Sequence, residues 1–148
     1  MAQRQGRYSV SDLQPNAPVI IFEGVERRLL WDFGVTEKVQ EIYGGHPFYA
    51  LEAMFFEEQK DGVTYRFHMA KPVIDLLYLL LNNEVEREKY FDGKSSLKKY
   101  TREQVGMLVD RTNVAEYVNA VVKSWTESNG VSPDDDDDEG DSKNAAGA

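Results

Sequence analysis

Pro72-Val73-Ile74-Asp75-Leu76-Leu77-Tyr78-Leu79-Leu80-Leu81 is the stretch whose reading decides the fold. Pro72 suits the first turn of a helix, where its missing N–H is not needed. The residues after it put apolar side chains on every side of a helical wheel, with Asp75 the only charge. A helix that is apolar all round belongs in the middle of a core. About ten residues is well short of the roughly twenty that cross a bilayer. The stretch therefore predicts a central buried helix, continuing polar through Asn82-Asn83-Glu84 to Tyr90, and no membrane partner.

Downstream, Phe91 to Ser96 contains Gly93, Ser95 and Ser96 and reads as a loop. Thr101 stands three residues before Gln104, a capping-box spacing that starts a helix with Val105, Leu108 and Val109 on its inner face. Asn113, with Glu116 three residues on, opens the last helix. Its stripe of Val114, Tyr117, Val118, Val121, Val122 and Trp125 follows the 3.6-residue period, and Asn129-Gly130 ends it.

Upstream, Val19-Ile20-Ile21-Phe22-Glu23 is β-branched and aromatic and predicts a strand. Glu23-Gly24 offers a tight turn and Val25 to Trp31 a return strand, although Arg27-Arg28-Leu29-Leu30-Trp31 does not alternate and leaves its faces unassigned. Val35, Val39, Ile42 and Tyr43 share one face of a short helix that Gly44-Gly45 stops. Pro47 to Gln59 is compatible with a helix or with a strand. Asp61-Gly62 is a hairpin signal, and beyond it Val63, Tyr65, Phe67 and Met69 alternate with Thr64, Arg66 and His68. That alternation predicts a strand over 63–69 with one buried face, paired with Ala53 to Glu58. The fold class expected is α+β, mainly helical, with a small antiparallel hairpin sheet packed on the central helix.

The length of 148 residues suits one domain. Residues 1–18, polar and bearing Pro15 and Pro18, predict a flexible N-terminal arm, and 19–130 a single globular domain. Residues 131–148 hold seven carboxylates against Lys143, a net −6 of the chain's −9, and predict a disordered acidic tail. The remaining −3 lies in residues 1–130, so neither body nor tail offers the basic surface that nucleic acid requires. The absence of cysteine excludes disulfides and thiolate metal sites and fits a reducing cytoplasm. The first seven residues lead into no apolar run, so no secretory signal is expected.

No constellation for chemistry emerges, and the expectation is no enzyme, no cofactor and no metal. His46 sits in a Gly-Gly-His-Pro turn and His68 on the polar face of a strand, with no convergent ligand set. Gly44-Gly45 lacks the spacing and the Lys-Ser or Lys-Thr of a phosphate loop. No Gly-x-Ser-x-Gly elbow occurs. Asp134 to Asp141 lacks the spaced glycine and terminal glutamate of a calcium loop. Lys94, Lys98, Lys99 and Arg102 form a small basic cluster, opposite in sign to the tail. The aromatic group Tyr43, Phe48, Tyr49, Phe55 and Phe56 is large for the chain, and any part left exposed is a candidate partner-binding patch.

The order of elements resembles a known family more than any motif does. A hairpin over Val19 to Trp31 precedes the short Val35–Tyr43 helix, and the leucine-rich helix follows. Thr101-Arg102-Glu103-Gln104-Val105-Gly106-Met107-Leu108 then leads, past Asn113, to an amphipathic last helix with Tyr117. This pattern is similar to the tail assembly chaperones of long-tailed phages and prophages, and to related proteins of gene transfer agents, over roughly residues 19–130. The resemblance implies a non-enzymatic, largely helical protein of the bacterial host cytoplasm. Such a protein binds the tape measure protein, keeps its long hydrophobic helices soluble and assists assembly of the tail tube, whose subunit protein is a further partner. A homo-oligomer is compatible with it. The competing readings are another phage structural or morphogenetic protein, and an acidic DNA mimic that inhibits a host protein.

Overall fold

The structure is a computed structural model that describes residue 14 and residues 16–129. The acidic tail and most of the N-terminal arm lie outside the described residues. Strand β1 (Val19–Phe22) pairs antiparallel with β2 (Val25–Arg28), Phe22 opposite Val25. Glu23 and Gly24 both take positive φ, 53° and 76°, the left-handed pair that a two-residue hairpin turn of matching twist needs. The return strand is shorter than expected, ending at Arg28. Arg27 points inward, and Leu29, Leu30 and Trp31 then follow it into the interior as irregular chain. Leu30 leaves the main core to pack with Ala17 and Phe91, which is why the run does not alternate.

Helix α1 (Phe33–Tyr43) starts two residues before the periodic stripe, because the Asp32 carboxylate accepts the Val35 N–H and caps it. Gly44 closes it, donating its N–H to the Gln40 carbonyl. Both readings open for Pro47–Gln59 are realised in turn. A short helix, α2 (Phe48–Ala53), buries Ala50 and Leu51, and strand β3 (Phe55–Lys60) follows one residue later. The β3 partner is β4 (Val63–His68), with Lys60 opposite Val63. The Asp61-Gly62 turn has φ of 54° and 78°, so two residues close the hairpin and set the paired strand two positions later than expected. A second correction concerns burial. The alternation over 63–69 predicts one buried face, yet β3 and β4 are exposed along their whole length except at His68.

The leucine-rich stretch lies in α3 (Ala70–Asp92), which begins two residues before Pro72 and runs to the left-handed Gly93, so the expected loop starts there instead of at Phe91. Val73, Leu76, Leu77, Leu80, Leu81 and Val85 are buried on it. Fully burying one leucine side chain stabilises by about 1.5–3 kcal/mol, so this helix dominates the core. Helix α4 (Arg102–Leu108) carries the expected capping box, Thr101 and Gln104 each bonding the other's backbone N–H. Helix α5 (Val114–Ser128) buries Tyr117, Val118 and Val121. Asn113 precedes it, but its side chain serves the α4–α5 turn, accepting from Asp110 N–H and donating to the Leu108 carbonyl.

One apolar cluster joins Ile20, Phe22, Leu29 and Trp31 to the inner faces of all five helices among the described residues, with α3 at its centre. The fold is α+β and mainly helical, with two separate two-stranded antiparallel sheets: β1–β2 sits on the core, and β3–β4 extends from it.

Candidate protein-docking surface

The polar groups nearest the core are occupied in holding elements together. Asp75 accepts from Tyr43 Oη at 2.7 Å, Lys71 Nζ at 2.8 Å and the Arg102 guanidinium at 2.6 Å. Burial alone works against the Asp75 charge, but bonds from Lys71 and Tyr43 and the charges of Arg102 and Lys71 prevail, holding the carboxyl below its ordinary range. Burial and the bond to Asp75 push the Tyr43 hydroxyl up, so it stays a donor. Glu23 accepts from the Tyr100 hydroxyl at 2.8 Å in the same manner.

A polar cleft of about 570 Å³ opens between Tyr78, Asn82, Glu86, Lys99 and Arg102. Several of its groups are already partnered. Asn82 both donates to and accepts from the Tyr100 backbone, and Lys99 Nζ lies 2.7 Å from Glu86. The basic cluster is spent in the same way: Lys98 meets Glu23 at 3.4 Å and Arg102 meets Asp75, leaving Lys94 without an ion pair among the described residues. His46 Nδ1 accepts the Phe48 N–H at 3.0 Å, a local turn contact. The His68 ring stands 5.7 Å from Phe55. Among the described residues no group of three or more His, Asp or Glu side chains is placed to hold a metal. No helix among them is long and apolar enough to cross a membrane.

The five aromatic residues expected at a partner site are divided among three places. Tyr43 turns inward to Asp75 and packs against the core. Phe48 and Tyr49 lie exposed on α2, Phe48 with its ring 6.0 Å from Trp125 of α5. Phe55 and Phe56 are exposed on β3, Phe56 stacked 4.7 Å from Phe67.

Beside the root of that hairpin lies an apolar groove of about 530 Å³. Ala70, Val73 and Ile74 of α3 form its floor, Gly106 and Val109 one wall, Val114 and Ala115 the other. Helix α4 approaches closely there: a Cβ on Gly106 would stand 3.3 Å from Ile74 Cδ1. Arg66 and Arg111 stand at the rim. A shallower cleft of about 350 Å³, which Phe55 and Phe56 line, shares Arg66, Phe67 and His68 with it. Sequence reasoning missed this groove, since its floor and its walls come from segments well separated in the chain, Ala70 to Ile74 against Gly106 to Ala115. The single local signal is Gly106, a glycine on the inward side of an otherwise ordinary helix. No protein-family profile matches the chain, and no curated protein or solved structure shows significant similarity to it.

Proposed function

We propose that this protein is a non-enzymatic assembly chaperone that holds an amphipathic helix of another polypeptide in the groove between α3, α4 and α5. The observation that carries the reading is the groove itself: apolar, and already formed between α3, α4 and α5. A helix laid in such a groove buries its i, i+3, i+4 and i+7 side chains. Arg66 is paired with Glu57 and Arg111 stands next to Asp110, so the rim is close to charge balance and the client's apolar stripe carries the fit.

The resemblance to phage tail assembly chaperones gives this client a name, the tape measure protein, with the tail tube protein a further partner and the bacterial cytoplasm the place. The test is co-expression with a phage tape measure protein, followed by binding of the purified pair. Ala115 is exposed in the groove wall near the start of α5, where an added carboxylate suits the helix dipole. Ala115→Glu is therefore expected to keep the melting temperature while weakening client binding by about tenfold or more. A tape measure protein that stays equally soluble and equally bound with the variant would overturn the assignment.

A further inference from the structure

The β3–β4 hairpin has two faces of different chemistry. Side chains alternate along each strand, and the register places Glu57, Gln59, Thr64 and Arg66 on one face with Phe55 and His68. That face completes its own polar contacts: Arg66 Nε donates to Glu57 at 2.9 Å and Gln59 Nε2 to Thr64 Oγ1 at 3.3 Å. The opposite face carries Phe56, Tyr65, Phe67 and Val63, together with Glu58 and Lys60. Tyr65 is 49% and Phe67 51% exposed. Glu58 and Lys60 have no hydrogen-bond or ion-pair partner among the described residues. A two-stranded ribbon is marginal in water unless something packs on it, and this one presents a contiguous apolar surface.

The order of groups selects the occupant. From root to tip the rows are Phe56–Phe67, Glu58–Tyr65 and Lys60–Val63. Consider a second ribbon laid face to face, related by a two-fold axis across the strands midway between the last two rows. Glu58 then meets Lys60 of the second copy, and Lys60 meets Glu58 of the second copy. Tyr65 and Val63 meet in the same reciprocal way, as an isologous contact requires. The Phe56–Phe67 pair falls beneath the second copy's Asp61-Gly62 turn, where the glycine offers flat backbone. The two-fold places the globular bodies at opposite ends of the paired ribbons. A partner of one charge sign would leave either Glu58 or Lys60 unpaired; an identical copy satisfies both.

We propose that the chain self-associates as a two-fold dimer through this face of the hairpin. A contact one ribbon wide buries less than the roughly 1,600 Å² of a standard interface, so association depends on concentration. The test is sedimentation equilibrium of the full chain from about 1 µM to about 1 mM. Dimer is expected to accumulate across that range. Glu58→Lys and Lys60→Glu, both on exposed positions, each set like charges against each other twice and should raise the dissociation constant about tenfold or more. The double variant E58K/K60E rebuilds the pairing with signs exchanged and should return it to near the wild-type value. Ala115→Glu should leave it unchanged. A wild type that stays monomeric throughout, single variants that dimerise like wild type, or a double variant as weak as the singles would each overturn the proposal.

Discussion

Asp75 is the carboxylate within the Pro72–Leu81 stretch that is carried into the core, and its three donors come from α1, α3 and the start of α4. The charge in the stretch is plain in the sequence. Its partners are not, because Tyr43 and Arg102 lie 32 and 27 positions away. The sign of its pH dependence follows from the direction of the shift. A carboxyl held below its unfolded value of 3.8 contributes stability that is complete above that value and is lost as pH falls through the folded one. Asp75→Asn removes that contribution and gives the donating Tyr43 hydroxyl a weaker, uncharged acceptor, at a cost of about 1–3 kcal/mol near neutrality. Lys71 and Arg102 are partly exposed and can return to water, which keeps the loss moderate. Thermal melts should therefore show a gap between wild type and variant at pH 7 that narrows below about pH 4. A gap of constant size down to about pH 2 would contradict this account.

The elements differ in how far they can be read before folding. The last helix and the Thr101–Gln104 capping box are local patterns, and both form where the residues put them. The β3–β4 hairpin shows the limit of such patterns. Period-two alternation says that the faces of a strand differ; it does not say that a core is present to receive one of them. Here the Asp61-Gly62 turn is local and legible, but the register depends on that turn taking two residues, and the exposure is set by a core in which α3 already packs on α1, α2, α4 and α5. A ribbon with so little of its surface on the body should open without the rest. In dilute solution, backbone amides of residues 56–67 are expected to exchange with solvent by local opening, while those of Leu76 to Leu81 exchange only on global unfolding. Exchange measured by mass spectrometry checks this. Equal protection in the two segments would mean that the hairpin belongs to the cooperative core.

At the scale of the molecule, parts of the fold distant in sequence meet at a buried ion pair that no sequence pattern announces. Arg27, 1% exposed, donates from Nε to Glu84 at 2.7 Å, from Nη2 to the Leu81 carbonyl at 2.8 Å and from Nη1 to the Lys98 carbonyl at 3.2 Å. Glu84 also accepts the Arg28 N–H at 3.0 Å. The first hairpin, the central helix and the connection to α4 thus meet at one guanidinium. Strand β2 cannot be assigned faces from its own residues, since an arginine points inward only where a carboxylate 57 positions away receives it. Burial raises the Glu84 carboxyl above its ordinary value even with Arg27 against it, so desolvation outweighs the pairing. The sense is opposite to that of Asp75: with the folded value raised, stability declines as pH rises through the window just above 4.5. The pair therefore does more to fix how the parts meet than to stabilise them. Removing one member strands the other, and Glu84→Ala or Arg27→Ala should each cost about 3–5 kcal/mol in urea unfolding. Replacing both, as in R27M/E84L, removes the two desolvation penalties together and should recover most of that loss. A double variant as unstable as the singles would show that the backbone bonds of Arg27 to Leu81 and Lys98, not its charge pair, hold the hairpin to the central helix.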